Sequence, residues 1–293
     1  MKQRDTLHAA VTRARQRLIA AGIPSDEAEL DARLLAQEVL GWDAARFLAN
    51  TTEPVPDGFA AACQALVTRR AAREPLAYIV GRREFWNLSF EVTPAVLIPR
   101  PETELLVEAA LERLQPGESA RVADVCTGSG CIAVALAHER RAIEVTAVDL
   151  SSDALSVAER NATRHRVASR VHFARSDLLS TAAGMFDLIV CNPPYVPATD
   201  YAALQPEVRV HEPREALVAG PDGLDVIRRL VREAPGRLVP GGALLFEFGF
   251  NQADDVSRLI SSERGLTMDG LRRDLQGIPR LAIAHRRRES IDG

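Results

Sequence analysis

From about residue 120 onward, short apolar runs and helix-patterned runs take turns, and this alternation limits the fold more than any other feature. VADVC, IEVTAVDL, VHFARSD, FDLIVC and GALLFEF read as strands. IAVALAHER and SDALSVAERNATRH, among the stretches between them, read as helices. Strands that alternate with helices build a mostly parallel sheet with helices on both faces. The end of the chain breaks the pattern. LTMDGLRRDL and RLAIAHRR look like two more strands joined through QGIP, as expected for an antiparallel pair at the edge of a parallel sheet. RRRESIDG reads as a frayed polar tail.

The first 75 residues read as helices only. Leu7, Val11, Ala14 and Leu18 share a helical face, and Gly22 and Pro24 end that helix. Ser25, Asp26 and Glu27 open the next, with an apolar stripe at Leu30, Leu34, Leu35 and Val39 running to Gly41. Phe59, Cys63 and Leu66 mark a further helix. Such a bundle can serve as a stabilising cap or as a grip on a macromolecular partner. EFWNLSFEVTPAVLIP then reads as a hairpin or linker, and PETELLVEAALERL as a helix with Pro101 and acidic residues in its first turn. The expected boundaries are 1–75 for the helical domain, 76–100 for the hairpin and linker, and 101–293 for the α/β domain.

Composition narrows the function classes. The 293 residues are 46% hydrophobic and 26% charged, ordinary values for a globular chain. No apolar run reaches the roughly 20 residues that span a bilayer. MKQRDTLHAA lacks the apolar centre of a secretory signal, so a cytoplasmic location is expected. The formal net charge of −4 argues against a broad grip on nucleic acid. Cys63, Cys126, Cys131 and Cys191 are not at metal-ligand spacing, and no metal is expected.

Four successive strands each end in a polar feature. Asp124-Val125-Cys126-Thr127-Gly128-Ser129-Gly130 joins a strand to a helix. Glycines there let a ligand approach the backbone, and the helix start supplies free N–H groups. The loop departs from the G-x-G-x-x-G of nicotinamide binders, because Cys126 stands at the first glycine position. Asp149 closes the second strand, where an acidic residue can bind the hydroxyls of a ribose or cap the next helix. Asp177 follows the third strand and can accept from an adenine amino group, or serve a turn. Asn192-Pro193-Pro194-Tyr195 follows the fourth. Two prolines offer no backbone N–H and stop the strand at a stiff, exposed corner. The corner sets an amide side chain beside an aromatic ring. In an open α/β sheet these strand ends line one crevice.

Taken together, these residues resemble a class I S-adenosylmethionine-dependent methyltransferase. PLAYIVGRREFWNLSFEVTPAVLIPRPETELLVE, NPPYV, EPREALVAGPDGL and RRDLQGIPR resemble the HemK/PrmC family more closely. The NPPY run alone is also similar to methyltransferases acting on adenine amino groups. The resemblance implies a seven-stranded, mostly parallel Rossmann-like sheet behind an N-terminal helical bundle. It implies transfer of a methyl group from S-adenosylmethionine to the side-chain N5 of a glutamine in class 1 peptide chain release factors. A ribosomal-protein glutamine or an exocyclic amino group of nucleic acid are the alternative substrates. Cys126, Thr127, Gly128, Ser129 and Gly130 would hold the methionine part, Asp149 the ribose, and Asp177 and Leu178 the adenine. Relatives often carry glycine at Cys126 and an aromatic residue near Leu178.

A glutamine amide is a weak nucleophile facing a very electrophilic methyl group, so orientation is the main requirement. Asn192 through its side-chain oxygen and Pro193 through its carbonyl would accept the two amide hydrogens, with Pro194 completing the corner. Tyr195 would pack on the amide plane. Arg100, between two prolines, is a candidate lid. Glu74, Arg82, Arg83 and Glu84 read as a solvated face, and His211 as an exposed or capping loop residue.

Overall fold

The computed structural model describes residues 5–288. The chain forms two compact units. One holds the chain up to Gly81 together with Gln205–His211; the other holds Arg82–Leu204 and the chain from Glu212 onward.

The first unit contains α1 (Leu7–Ala20), α2 (Ser25–Leu40), α3 (Ala44–Ala49), α4 (Phe59–Ala71) and α5 (Leu76–Val80). Thr6 caps α1 by accepting from the Ala9 N–H, and Gly41, at φ 63°, ends α2. Leu7, Ala14, Leu18, Leu35, Phe47, Phe59, Cys63 and Val67 form much of its core. The apolar stripe of α2 lies elsewhere than the leucine spacing suggests. Ala28, Ala32, Leu35 and Ala36 are fully buried, while Leu30 is 46% exposed. The cause is polar: Asp31 is buried as well, because its carboxylate accepts from Arg70 Nε of α4 at 2.6 Å. Small alanines on either side let the helices close around that pair. The segment Pro206–His211 is helical and joins this unit through Glu207, which accepts from Arg70 Nη1 at 2.8 Å and Arg73 Nη2 at 2.7 Å. Residues 76–80, expected in a hairpin or linker, form α5 instead, and Gly81 ends it in the left-handed region at φ 76°.

The second unit opens with a hairpin of β1 (Arg82–Phe85) and β2 (Leu88–Glu91), turned at Trp86 and Asn87 with φ 52° and 55°. Pro101–Thr103 makes a tight 3-10 turn that leads into α6 (Glu104–Arg113), so the expected helix begins as a narrower turn. Then follow β3 (Ala120–Val125), α7 (Cys131–Glu139), β4 (Ile143–Asp149), α8 (Ser152–Arg164), β5 (Val171–Arg175) and β6 (Phe186–Cys191). The Pro206–His211 helix is α9, and α10 (Asp225–Glu233), β7 (Leu238–Glu247), α11 (Ala253–Ser262), β8 (Leu266–Arg273) and β9 (Pro279–Arg286) complete the unit.

The sheet has seven strands in the order β5-β4-β3-β6-β7-β9-β8. Five are parallel, and β9 runs antiparallel to both β7 and β8. The expected edge pair is therefore present; the expected polar tail falls partly on residues 289–293, outside the described residues. Successive residues point to opposite faces, so Val122 and Leu188 enter one core and Ala123 and Ile189 the other. Burial on both faces accounts for the unbroken apolar runs. Strand order reverses between β3 and β6, which places the crevice outside their carboxyl ends.

Candidate functional site

The ends of β3, β4, β5 and β6 surround a cavity of about 330 Å³. Cys126, Thr127, Gly128, Ser129, Asp149, Asp177, Leu178, Asn192 and Pro194 line it. Three of the expected site residues stand back from it. Gly130 packs against α8, where a Cβ would lie 2.9 Å from that of Ala158. Pro193 is buried, so the corner expected to be exposed is partly enclosed. Tyr195 sends its hydroxyl into the protein, where it donates to Glu247 Oε1 at 3.0 Å.

The loop after β3 is shaped by two carboxylates. Asp124 is wholly buried and accepts on Oδ2 from Thr127 Oγ1 at 2.6 Å and from the Ala133 N–H at 3.1 Å. Burial pushes its carboxyl up to about 7, and its Oδ1 has no partner among the described residues. Asp149 accepts from the Gly128 N–H at 2.9 Å and, on its other oxygen, from the Ser151 N–H at 3.0 Å. The cap of α8 is Ser151, whose Oγ accepts from Ala154. Burial raises the Asp149 carboxyl above its ordinary range. Cys126 has φ 59°, in the left-handed region where glycine is at ease. Its thiol meets that of Cys191, the last residue of β6. Leu178 is buried at φ 49°, and Asp177 pairs with Arg229 at 2.9 Å.

At the β6 tip, Asn192 Nδ2 donates to Thr103 Oγ1 at 3.1 Å. Thr103 in turn donates to Glu247 Oε2 at 2.7 Å. Glu247 ends β7 and is 3% exposed, and burial raises its carboxyl. Gln252 holds the backbone at this corner by donating to the Tyr195 carbonyl at 3.0 Å. Arg100 lines the cavity and donates to the buried Glu212 at 2.6 Å; Glu212 also accepts from the Ile98 N–H.

Thr103, Glu212, Glu247 and the wall at 95–99 were not identified from the sequence. The signal for Glu247 was present: it is the one charged residue in the otherwise apolar run GALLFEF. The remaining titratable candidates lie elsewhere. Arg82, Arg83 and Glu84 are exposed, and Glu74 pairs with Arg69. His211, expected as an exposed or capping loop residue, is the last residue of the Pro206–His211 helix in the first unit, half-buried with Nε2 unpartnered. Among the described residues, no His, Cys, Asp or Glu cluster could hold a metal ion, and no helix is long and apolar enough to cross a membrane.

Two family models match the chain: PrmC N-terminal domain over residues 9–81 and Methyltransferase small domain over residues 101–220. A release factor glutamine methyltransferase of Cereibacter sphaeroides is 46% identical over 97% of this chain and 98% of its own length. The protein of the same name from Deinococcus radiodurans is 44% identical over 98% of this chain and 99% of its own. Solved structures share the fold at lower identity. A methyltransferase from Pyrococcus furiosus superposes with a TM-score of 0.53 at 18% identity, covering 76% of this chain and 98% of that one. The hMettl16 catalytic domain gives 0.56 at 16%, covering 74% and 81%. With relatives this similar along nearly its whole length, and with a methyltransferase sheet carrying the strand-tip cavity, the chain is an enzyme of the release factor glutamine methyltransferase family.

Proposed function

We propose that this protein transfers a methyl group from S-adenosylmethionine to the side-chain N5 of a glutamine in class 1 peptide chain release factors. One observation carries the reading: a carboxamide, Asn192, stands at the rim of a strand-tip cavity with its Nδ2 already engaged by Thr103. No hydrogen bond reaches its Oδ1 among the described residues, so an acceptor is left for a substrate amide.

The cavity suits the donor. A sulfonium nucleoside needs hydroxyl acceptors, an apolar slot for a purine and backbone close to an amino acid. Asp149 offers the acceptor, with one lone pair on each oxygen beyond those used by Gly128 and Ser151. Leu178 offers apolar contact and Asp177 an acceptor beside it. The loop Cys126 to Ser129 offers backbone, and the buried Asp124 holds that loop by accepting from Thr127. When bound, S-adenosylmethionine supplies a methyl group that is already strongly electrophilic.

The chain's own residues then have to orient the acceptor. Asn192 Oδ1 and the Pro193 carbonyl accept the glutamine amide hydrogens, which turns the nitrogen lone pair toward the methyl and stabilises positive charge on nitrogen. Pro194 and Tyr195 hold that corner. The first unit serves as the docking surface for the factor, and a cytoplasmic location follows from such a substrate.

Labelled S-adenosylmethionine offered with release factors, ribosomal subunits or DNA tests the reading. Label should appear on a release factor glutamine as a single methyl group. Asn192→Ala should lower kcat by about 100- to 1,000-fold, the size seen when one transition-state hydrogen-bonding group is lost, while donor affinity changes little. Label in nucleic acid alone, or full turnover by the Asn192→Ala protein, would overturn it.

A further inference from the structure

We propose that Thr103 and Glu247 are positioning residues that fix which end of the Asn192 carboxamide faces the substrate. The inference deepens the proposed function and rests on its reading of Asn192 as an acceptor.

The argument is one of hydrogen-bond direction. The two ends of a carboxamide are almost equal in size and opposite in character: NH2 only donates and oxygen only accepts. A half-turn about the last side-chain bond exchanges them at little steric cost. A useful Asn192 must present oxygen to the substrate, because a presented NH2 would point two hydrogens at the two hydrogens of the incoming amide. Something must therefore break the near-symmetry.

Thr103 breaks it only because Glu247 directs Thr103. A hydroxyl has one hydrogen and can donate or accept. Facing Asn192 alone, Thr103 could suit either orientation. In its ionised form the Glu247 carboxylate has no hydrogen to give, so Thr103 then spends its own hydrogen there, at 2.7 Å. Its oxygen then has only lone pairs to offer, and Asn192 must meet it with NH2, at 3.1 Å. Oδ1 is thereby directed the other way. The second oxygen of Glu247 takes the Tyr195 hydroxyl at 3.0 Å. One carboxylate at 3% exposure thus sets both side chains of the corner, and its burial keeps water from competing for either bond. The carboxylate sits at the end of β7, Thr103 in the turn before α6 and Asn192 after β6, so three separate elements meet to make the chain of bonds.

Thr103→Val keeps the shape and removes the hydroxyl. Glu247→Gln keeps the volume but replaces one of the two acceptor oxygens that Thr103 and Tyr195 use with a donor. Each should lower kcat on a release factor by about 10- to 100-fold, the usual cost of losing a residue that orients a reacting group's ligand. KM for the factor and the affinity for S-adenosylmethionine should stay within about threefold, and Thr103→Ser should restore kcat. A double-mutant cycle separates orientation from plain structural support. If Thr103 acts through Asn192, Thr103→Val should cost nothing further once Asn192 is Ala. Full additivity of the two losses, or an unchanged kcat in both Thr103→Val and Glu247→Gln while Asn192→Ala is crippled, overturns the inference and leaves the proposed function standing. An unchanged kcat in Asn192→Ala itself overturns the proposed function. Should Thr103→Val fail to fold, the same cycle with Glu247→Gln against Asn192→Ala decides the matter.

Discussion

Asp124 shows how a single buried side chain ties the site to solution conditions. Its carboxyl holds a proton up to about pH 7 in the folded protein, against an ordinary value of 3.8. Between those values the folded state binds more protons than the unfolded one, so stability falls as pH rises through that window. Asp149 and Glu247 are raised for the same reason and slope the same way. Asp124→Asn should remove one part of the slope. Relative to the unaltered protein, the variant should be more stable at pH 8 than at pH 5 in urea unfolding of the ligand-free protein. An identical pH slope in the two proteins would mean that the Asp124 carboxyl titrates normally. Cys126 is a different case. A non-glycine residue in the left-handed region costs about 1–2 kcal/mol, and Cys126 stands there at φ 59° with the Cys191 side chain as a neighbour. Both residues were singled out from sequence, but neither the unpaired Oδ1 nor the backbone conformation was legible there, because each depends on neighbours brought in by other strands.

At the scale of elements, the decisive feature of the first unit is the ionic cluster joining α2, α4 and α9. Arg70 is 5% exposed at its side chain and meets Asp31 at 2.6 Å and Glu207 at 2.8 Å. Breaking a buried pair by removing one partner costs about 3–5 kcal/mol, because the remaining charges stay desolvated. Arg70→Met should destabilise the unit by that order in chemical unfolding, with faster amide exchange across 205–211. Exchange there that matches the unaltered protein would show that Glu207 is held by other means. Hydrophobic periodicity located α2 correctly yet chose Leu30 for its buried face. The error is physical: a stripe argument counts leucines, while the burial of Asp31 is dictated by an arginine 39 residues away. The strands fared better, since their burial on both faces leaves a continuous apolar signature that needs no partner to be recognised.

For the whole molecule, the cavity is lined wholly by residues of the second unit. A ligand that binds only the native state stabilises it by about 2.7 kcal/mol at 100 times its Kd. S-adenosylmethionine at that excess should slow amide exchange most in β3, β4 and β6 and leave α1 and α2 nearly unchanged. Equal slowing in both units would place the bound donor, or its energetic reach, beyond the strand-tip cavity.

The α/β class, the antiparallel edge pair, the order of the strand-tip residues and the resemblance to the family are all legible along the chain. Each of these is written in local pattern or contiguous motif. Which of those residues reach the cavity, that Tyr195 turns inward, and that Thr103 and Glu247 stand behind Asn192 emerge from the folded arrangement. The reason is that hydrogen-bond direction belongs to a set of atoms drawn from distant parts of the chain. Residues 103, 192 and 247 have no relation in sequence until the sheet closes and leaves one buried carboxylate with two hydroxyls to hold.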